Sequence, residues 1–479
     1  MLHRSLSACG MVLALTAGAQ EQYGLFNSNY AGTDAVSINP ARMTTQWQWR
    51  DINIIGADLS VWNDHVYVTG RDRSVLGEVR ETMRTANADG FVINESLDPG
   101  ARHAFVNARA LAPAFAFSMG RNAIGAHVSS RAALSVTGVG MELGRFGYNG
   151  LVYAPQHGIG YTDDGLRIVG AAWSEVGLSF SRLLVARGFD LFSAGITGKY
   201  LVPHAGGGIA FDHFSYTVLD TARADVSAAS GTYGLAMPQV IGGQGFGADI
   251  GVVYERTRDE VNGFIPHESN GGCDMPEYQF RLGASLLDLG GMSFSEPLAG
   301  TFDASTARFA NYQAIHTNGT QGIDSLVAAS LSGFSRSSSM SIGLPTAASV
   351  QYDQRMAKHL YLSAGVLQNL ALWSTLRLRR ANTEALVARY ETRRWEAAVP
   401  LVFHEYDIRK PAVGLMLRMN SVIIGSDNLL PLITRGNVYG VDAYFRLKWT
   451  IFRSPVCRGK RKAEHRQGDK NALPCVTPQ

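Results

Sequence analysis

Residues 246–254 read FGADIGVVY. On an extended chain Phe246, Ala248, Ile250, Val252 and Tyr254 share one face, while Gly247, Asp249, Gly251 and Val253 share the other, because strand side chains alternate with period two. The same pattern recurs along the chain. Phe192, Ala194, Ile196, Tyr200 and Val202 oppose Ser193, Gly195, Thr197 and Lys199; Tyr278, Phe280, Leu282, Ala284 and Leu286 oppose Gln279, Arg281, Gly283 and Ser285. Val413, Leu415, Leu417 and Met419 oppose Gly414, Arg418 and Asn420. From Val441 to Ile451 the apolar face again opposes Asp442, Tyr444, Arg446 and Lys448.

These runs are about nine to twelve residues long, above the usual five or six of a soluble sheet. A secreted β-sandwich would bury the apolar face, and a membrane barrel would turn it to lipid. Length favours the barrel, since a tilted strand needs about 9–11 residues to cross a bilayer. Tyr254, Tyr278 and Trp449 near strand ends suit an interfacial girdle. Composition agrees: 17% of residues are charged, 10% are aromatic, and 52 of 479 are glycine. Soluble domains average about 25% charged residues. The net charge of +3 gives no sign of a nucleic-acid partner.

The amino terminus reads as an export signal over residues 1–19. His3 and Arg4 precede an apolar stretch from Leu6 to Ala17, and Ala17-Gly18-Ala19 places cleavage before Gln20. The stretch is shorter than the ~20 residues of a spanning helix. Leu6-Ser7-Ala8-Cys9 mimics a lipoprotein box but lies before the hydrophobic region. With export, the barrel is expected in the cell outer membrane, in contact with its lipid.

Short joins at Gly120-Arg121-Asn122 and Arg187-Gly188 alternate with long irregular segments near 63–102, 140–164, 204–235, 256–275 and 296–340. Barrels of this class keep their long loops outside the cell. Residues 74–88 are expected to form a short helix. The pattern gives an all-β transmembrane antiparallel barrel of about fourteen strands over 47–452, followed by a basic periplasmic tail over 453–479.

Three cysteines follow the signal. Cys457 and Cys475 flank the tail and would be able to pair in an oxidising compartment; spacing alone leaves the pairing open. Without C-x-x-C, no zinc or thioredoxin-type site is readable. His404-Glu405 and His267-Glu268 lack the second histidine of H-E-x-x-H. Gly283-Ala284-Ser285 and Gly333-Phe334-Ser335 lack the closing glycine of a nucleophile elbow, and the Gly-rich 204–212 lacks the Lys-Ser/Thr of a phosphate loop. No enzyme activity, cofactor or metal is expected.

Inward charges on the alternating faces form the candidate luminal set: Lys199, Asp249, Arg281, Arg389, Glu391, Arg418 and Arg446. An unpaired charge in such an interior is too costly to persist. The expectation is therefore a paired network, with Asp249, Glu391 and Asp442 as counter-charges and Arg389, Glu391 and Arg393 on one strand face.

Before the first strand, residues 25–43 read LFNSNYAGTDAVSINPARM, with neither strand alternation nor a helical period. Asn39-Pro40-Ala41, preceded by Tyr30-Ala31-Gly32, resembles the amino-terminal hatch of FadL-like fatty-acid channels and of PorV-like type IX secretion barrels. Residues 245–254 resemble the G-F-G-x-D-x-G-x-x-Y strand of the same group. Taken whole, with YGLFNSNYAG at 23–32, Arg389-Tyr390-Glu391-Thr392 and Gly425-Ser426-Asp427-Asn428, the chain is similar to an uncharacterised Bacteroidota outer-membrane family of unknown function. The resemblance implies that 20–46 is a hatch folded back into the lumen, with Asn27, Asn29, Gly32, Asn39, Pro40 and Ala41 as its key residues. Asn side chains and Asp34 would satisfy backbone that no strand pairs, and Gly32 and Pro40 would set its bends. Such backbone is tolerated at membrane depth only under cover of protein or water. Two functions fit: passive, hatch-gated transport of a small hydrophobic ligand, or a structural or secretion-associated barrel that binds a protein partner.

Overall fold

The computed structural model describes residues 22–457 except 86–88, 269–271, 305–306, 311–334 and 373. The signal segment, Cys475 and the tail beyond Cys457 lie outside the described residues. Among the described residues, fourteen antiparallel strands close into a transmembrane barrel. They are β1 (Arg50–Asn63), β2 (Arg102–Met119), β3 (Asn122–Val139), β4 (Arg167–Arg187), β5 (Asp190–Val218), β6 (Gly243–Thr257) and β7 (Tyr278–Phe294). The ring continues through β8 (Ala347–Arg355), β9 (Leu360–Asn369), β10 (Thr383–Glu391), β11 (Trp395–His404), β12 (Leu415–Met419), β13 (Val422–Ser426) and β14 (Gly440–Ile451). β1 closes it, with Arg50 opposite Phe117 of β2 and Ile451 of β14.

The faces follow the alternation. Phe246 is 66% exposed and Asp249 next to the same ladder is 1% exposed. Leu178, Ile250, Val399 and Trp449 also stand outward, forming a belt that only lipid covers favourably. Both ends of the barrel chain, Arg50 and Ile451, meet at one end, here the near end. Tight turns at that end join β2 to β3 and β4 to β5, and long connections gather at the far end. One of these carries the helix Val75–Thr85 inside the expected 74–88.

Several local expectations are corrected. Residues 204–235 are not an irregular loop: β5 runs 29 residues, and its far half leaves the ring to pair with the strand Arg223–Ala236. The 256–275 stretch begins within β6, and the connection that follows lies at the near end, beside the chain that leaves β14. The cysteine pairing that spacing left open is Cys457 with Cys273, because the chain after β14 turns beneath that connection. Tyr278 is no girdle residue. A register shift at Arg256/Thr257 sets it opposite Thr257 and turns its ring inward, 1% exposed. Arg393 lies past the end of β10, exposed in the turn and 4.4 Å over the Phe452 ring, so it leaves the Arg389–Glu391 face.

Candidate functional site

Residues 22–49 fill the near half of the lumen. Tyr23 and Gly24 donate their backbone N–H groups to Asp427, and Gln22 donates to Asp58. The segment descends to Asn29 at the near end, rises to Asp34, then leaves toward β1 through the 3-10 helix Pro40–Thr45. It thus contains two short helical pieces, Thr33–Val36 and Pro40–Thr45, which its sequence did not suggest. Arg42 clasps its limbs together by donating to the carbonyls of Phe26, Asn27 and Ser28.

The hatch residues occupy definite seats. Asn27 donates to the Tyr352 carbonyl and accepts from Arg42. Asn29 accepts from Arg281 at 2.5 Å and donates to the Tyr278 hydroxyl and to Glu391. Asn39 caps its own helix by accepting from Ala41 N–H at 3.1 Å, and donates to the carbonyl of Val252 at 3.0 Å and to Gln351 at 3.1 Å. Pro40 and Ala41 are buried against the wall. Gly32 adopts φ 58°, and a Cβ there would lie 2.0 Å from Asp51.

The wall makes room for this contact. Gly195 of β5 and Gly251 of β6 are register partners facing Asn39-Pro40-Ala41. A Cβ on Gly195 would meet Ala41 N at 2.6 Å, and one on Gly251 would meet Asn39 Oδ1 at 2.2 Å. On the other side, Leu25, Phe26, Ala35 and Ile38 pack on Ala385, Val387, Ala398 and Met416 of β10–β12. The hatch is therefore held between a glycine wall and an apolar wall.

The luminal charges divide into three groups. Arg446 reaches Asp34 at 2.7 Å and Asp58 at 2.5 Å, and Lys448 joins Asp34 at 2.5 Å to Asp51 at 3.0 Å. Arg281 pairs with Glu255 at 2.5 Å, Arg389 with Asp353 and Glu391, and Arg418 with Glu396. Lys199 bridges Asp249 at 2.7 Å and Asp288 at 2.6 Å, and Asp288 also holds Arg131 and Arg380. Asp442 takes no part in these pairs; it accepts from Ser426 and from Asp427 N–H. Sequence reasoning missed Asp51, Asp58, Asp353 and Glu396 as counter-charges. Their signal was available, since each is a charge at an inward position of an alternating run.

Above the hatch lies a cavity of about 80 Å³. Asp34 and Ile38 floor it, Lys199 and Glu175 line it, and it extends to Phe115, whose ring is on the outward face. The wall is broken beside it. The β1–β2 ladder passes from Asn53↔Ala114 to Gly56↔Leu111, so Ile54, Ile55, Ala112 and Pro113 have no ladder partners there. Pro113 has no N–H to donate. Ile54 and Ile55 consequently both face outward, at 50% and 51% exposure.

Residues 78–427 match the family described as Family of unknown function (DUF5723). The chain belongs to that family. In this DUF5723 barrel the hatch precedes the matched residues. No curated protein matches the chain. Among solved structures it is similar to the P. putida toluene transporter TodX, at 9% identity over 88% of this chain and 95% of that one, TM-score 0.39. A Pseudomonas aeruginosa FadL homologue aligns at 10% identity over 92% and 99%, TM-score 0.22. A Rh. blastica porin mutant aligns at 8% over 84% and 100%, TM-score 0.24. The barrel assignment rests on this chain's own closed hydrogen-bond register.

Proposed function

We propose that this DUF5723 protein is an outer-membrane channel, without catalytic chemistry, for small apolar molecules, closed at rest by its amino-terminal hatch. The near end is then periplasmic and the far end external. The observation that carries this reading is the cavity above the hatch, which runs from Asp34 to the lipid-facing Phe115 beside the β1–β2 break. The charges that line the chamber are paired, Lys199 with Asp249 and Arg131 with Glu175, and its apolar lining, Leu111, Ala114 and Phe115, is on the β2 wall where an apolar molecule would leave. At about 80 Å³ the path is shut, as a resting state requires. TodX is named a toluene transporter and supplies the probe rather than the argument.

The test is uptake of radiolabelled toluene by cells carrying the wild-type barrel, the Ala114→Trp variant or an empty vector. Ala114 lines the cavity from the inward face of β2, 2% exposed, so a large ring there fills the side path. Wild type is expected to exceed both others, with the variant still heat-modifiable on gels. Equal uptake in all three sinks the channel and leaves the partner-binding barrel, for which co-purification of a stable protein is the measurement.

A further inference from the structure

The far half of the lumen holds a second obstruction. Residues 374–382, between β9 and β10, dip into the barrel mouth and run beside Gly343, which donates to the Leu376 carbonyl and accepts from Leu378 N–H. Leu376 and Leu378 are buried against Trp173, Phe294 and Ile342. Two arginines pin the segment to the wall. Arg379 meets Glu405 at 2.5 Å, while its N–H donates to Ser135. Arg380 reaches down to Asp288, the carboxylate already shared by Lys199 and Arg131.

Arg380 also lines the cavity floored by the hatch residues Asp34 and Ile38. The two obstructions therefore face one another across the same small chamber. The hatch enters from the end where β1 begins, and 374–382 enters from the opposite end. We propose that 374–382 is a second gate, external and in series with the hatch, and that substrate reaches the chamber only when its Arg379 and Arg380 pairs release. The inference rests on the channel reading. It also changes what removal of the hatch should do: a plug alone predicts that deleting 25–43 opens the lumen, whereas two gates in series predict that it stays shut.

Planar-bilayer recording in potassium chloride tests this with four proteins: wild type, the 25–43 deletion, the triple variant Leu376→Ser/Leu378→Ser/Arg380→Ala, and both changes combined. Heat-modifiability on gels checks that each is folded. The expected result is near-silent recordings from the first three and stable conductance from the combination, greater than the sum of the single effects. A reversible lock covers the case in which the triple variant fails to fold. Ser135→Cys/Arg379→Cys in a Cys475→Ser background, oxidised, should abolish toluene uptake, and a phosphine reductant should restore it, with reduced wild type as control. Conductance from the hatch deletion equal to that of the combination, or uptake indifferent to the lock, overturns the second gate and leaves the channel standing. Silence from a folded combination, with no uptake in wild type, overturns both.

Discussion

The two halves of the lumen are filled by different physics. At the near end, the hatch meets the wall through buried ion pairs and side-chain amides, as at Arg446–Asp34, Arg281–Asn29 and Arg389–Asp353. At the far end, Val169, Trp173, Met292, Phe294, Leu376 and Leu378 form an ordinary apolar cluster. Apolar contact is non-directional and accepts any well-shaped filler. Buried ion pairs stabilise little against an apolar alternative, but losing one partner is severe. The lower half therefore fixes one seating of the hatch, and the upper half seals without specifying a unique partner.

The largest expected effect tests the ionic half. Arg389 holds Asp353 and Glu391, all three buried. Arg389→Ala takes the cation from Glu391 and leaves Asp353 only the longer pair to Arg281 at 3.6 Å, and should cost ~3–5 kcal/mol, read as a lower urea midpoint of the reconstituted barrel. Leu376→Ala in the apolar half should cost less, ~2–3 kcal/mol, because a loop can settle onto the space it leaves. If the two variants unfold at the same midpoint, the contrast between the halves is wrong.

Asn39→Ala sharpens the comparison within the hatch. It removes a helix cap and the bonds to Val252 and Gln351, at about 1–2 kcal/mol, without touching an ion pair. Protease nicking at the hatch should rise while the barrel's urea midpoint stays within error. An equal fall in the midpoint would mean that the hatch is part of the barrel's cooperative unit.

The smallest effect concerns the near-end connection between β6 and β7. His267 is buried there, and its carbonyl accepts from Ser454. Burial pushes its imidazole down from 6.5 to about 4. A lowered histidine pKa gives stability that is complete above the unfolded value and lost as pH falls toward the folded one. Between pH 7 and pH 5 the loss should be on the order of 1 kcal/mol, seen as faster amide exchange over 258–277. His267→Gln should flatten that dependence; a variant with unchanged pH response assigns it elsewhere.

Much of this architecture was legible. Alternation at 246–254 and 441–451 fixed which side chains meet lipid, because strand geometry ties every second residue to one face. The same rule fails where the ladder slips, and Tyr278 points inward for that reason alone. It also says nothing about inward residues that are apolar, so the Ala385, Val387 and Met416 seat for the hatch went unseen. Segment 374–382, with LRLRR at 376–380, gave no period to read as a plug.

By itself, the sequence determined a β-barrel of about fourteen strands with an irregular segment ahead of it, since period, run length and composition are local properties. Tertiary structure alone decided who pairs with whom. Arg446 finds Asp34 across 412 positions of chain, Cys457 finds Cys273 across 184, and Arg380 finds Asp288 across 92. Such choices depend on barrel closure and strand register, which bring distant inward positions to one level of the lumen. Once there, a buried charge stays only beside whichever opposite charge that register has placed within reach.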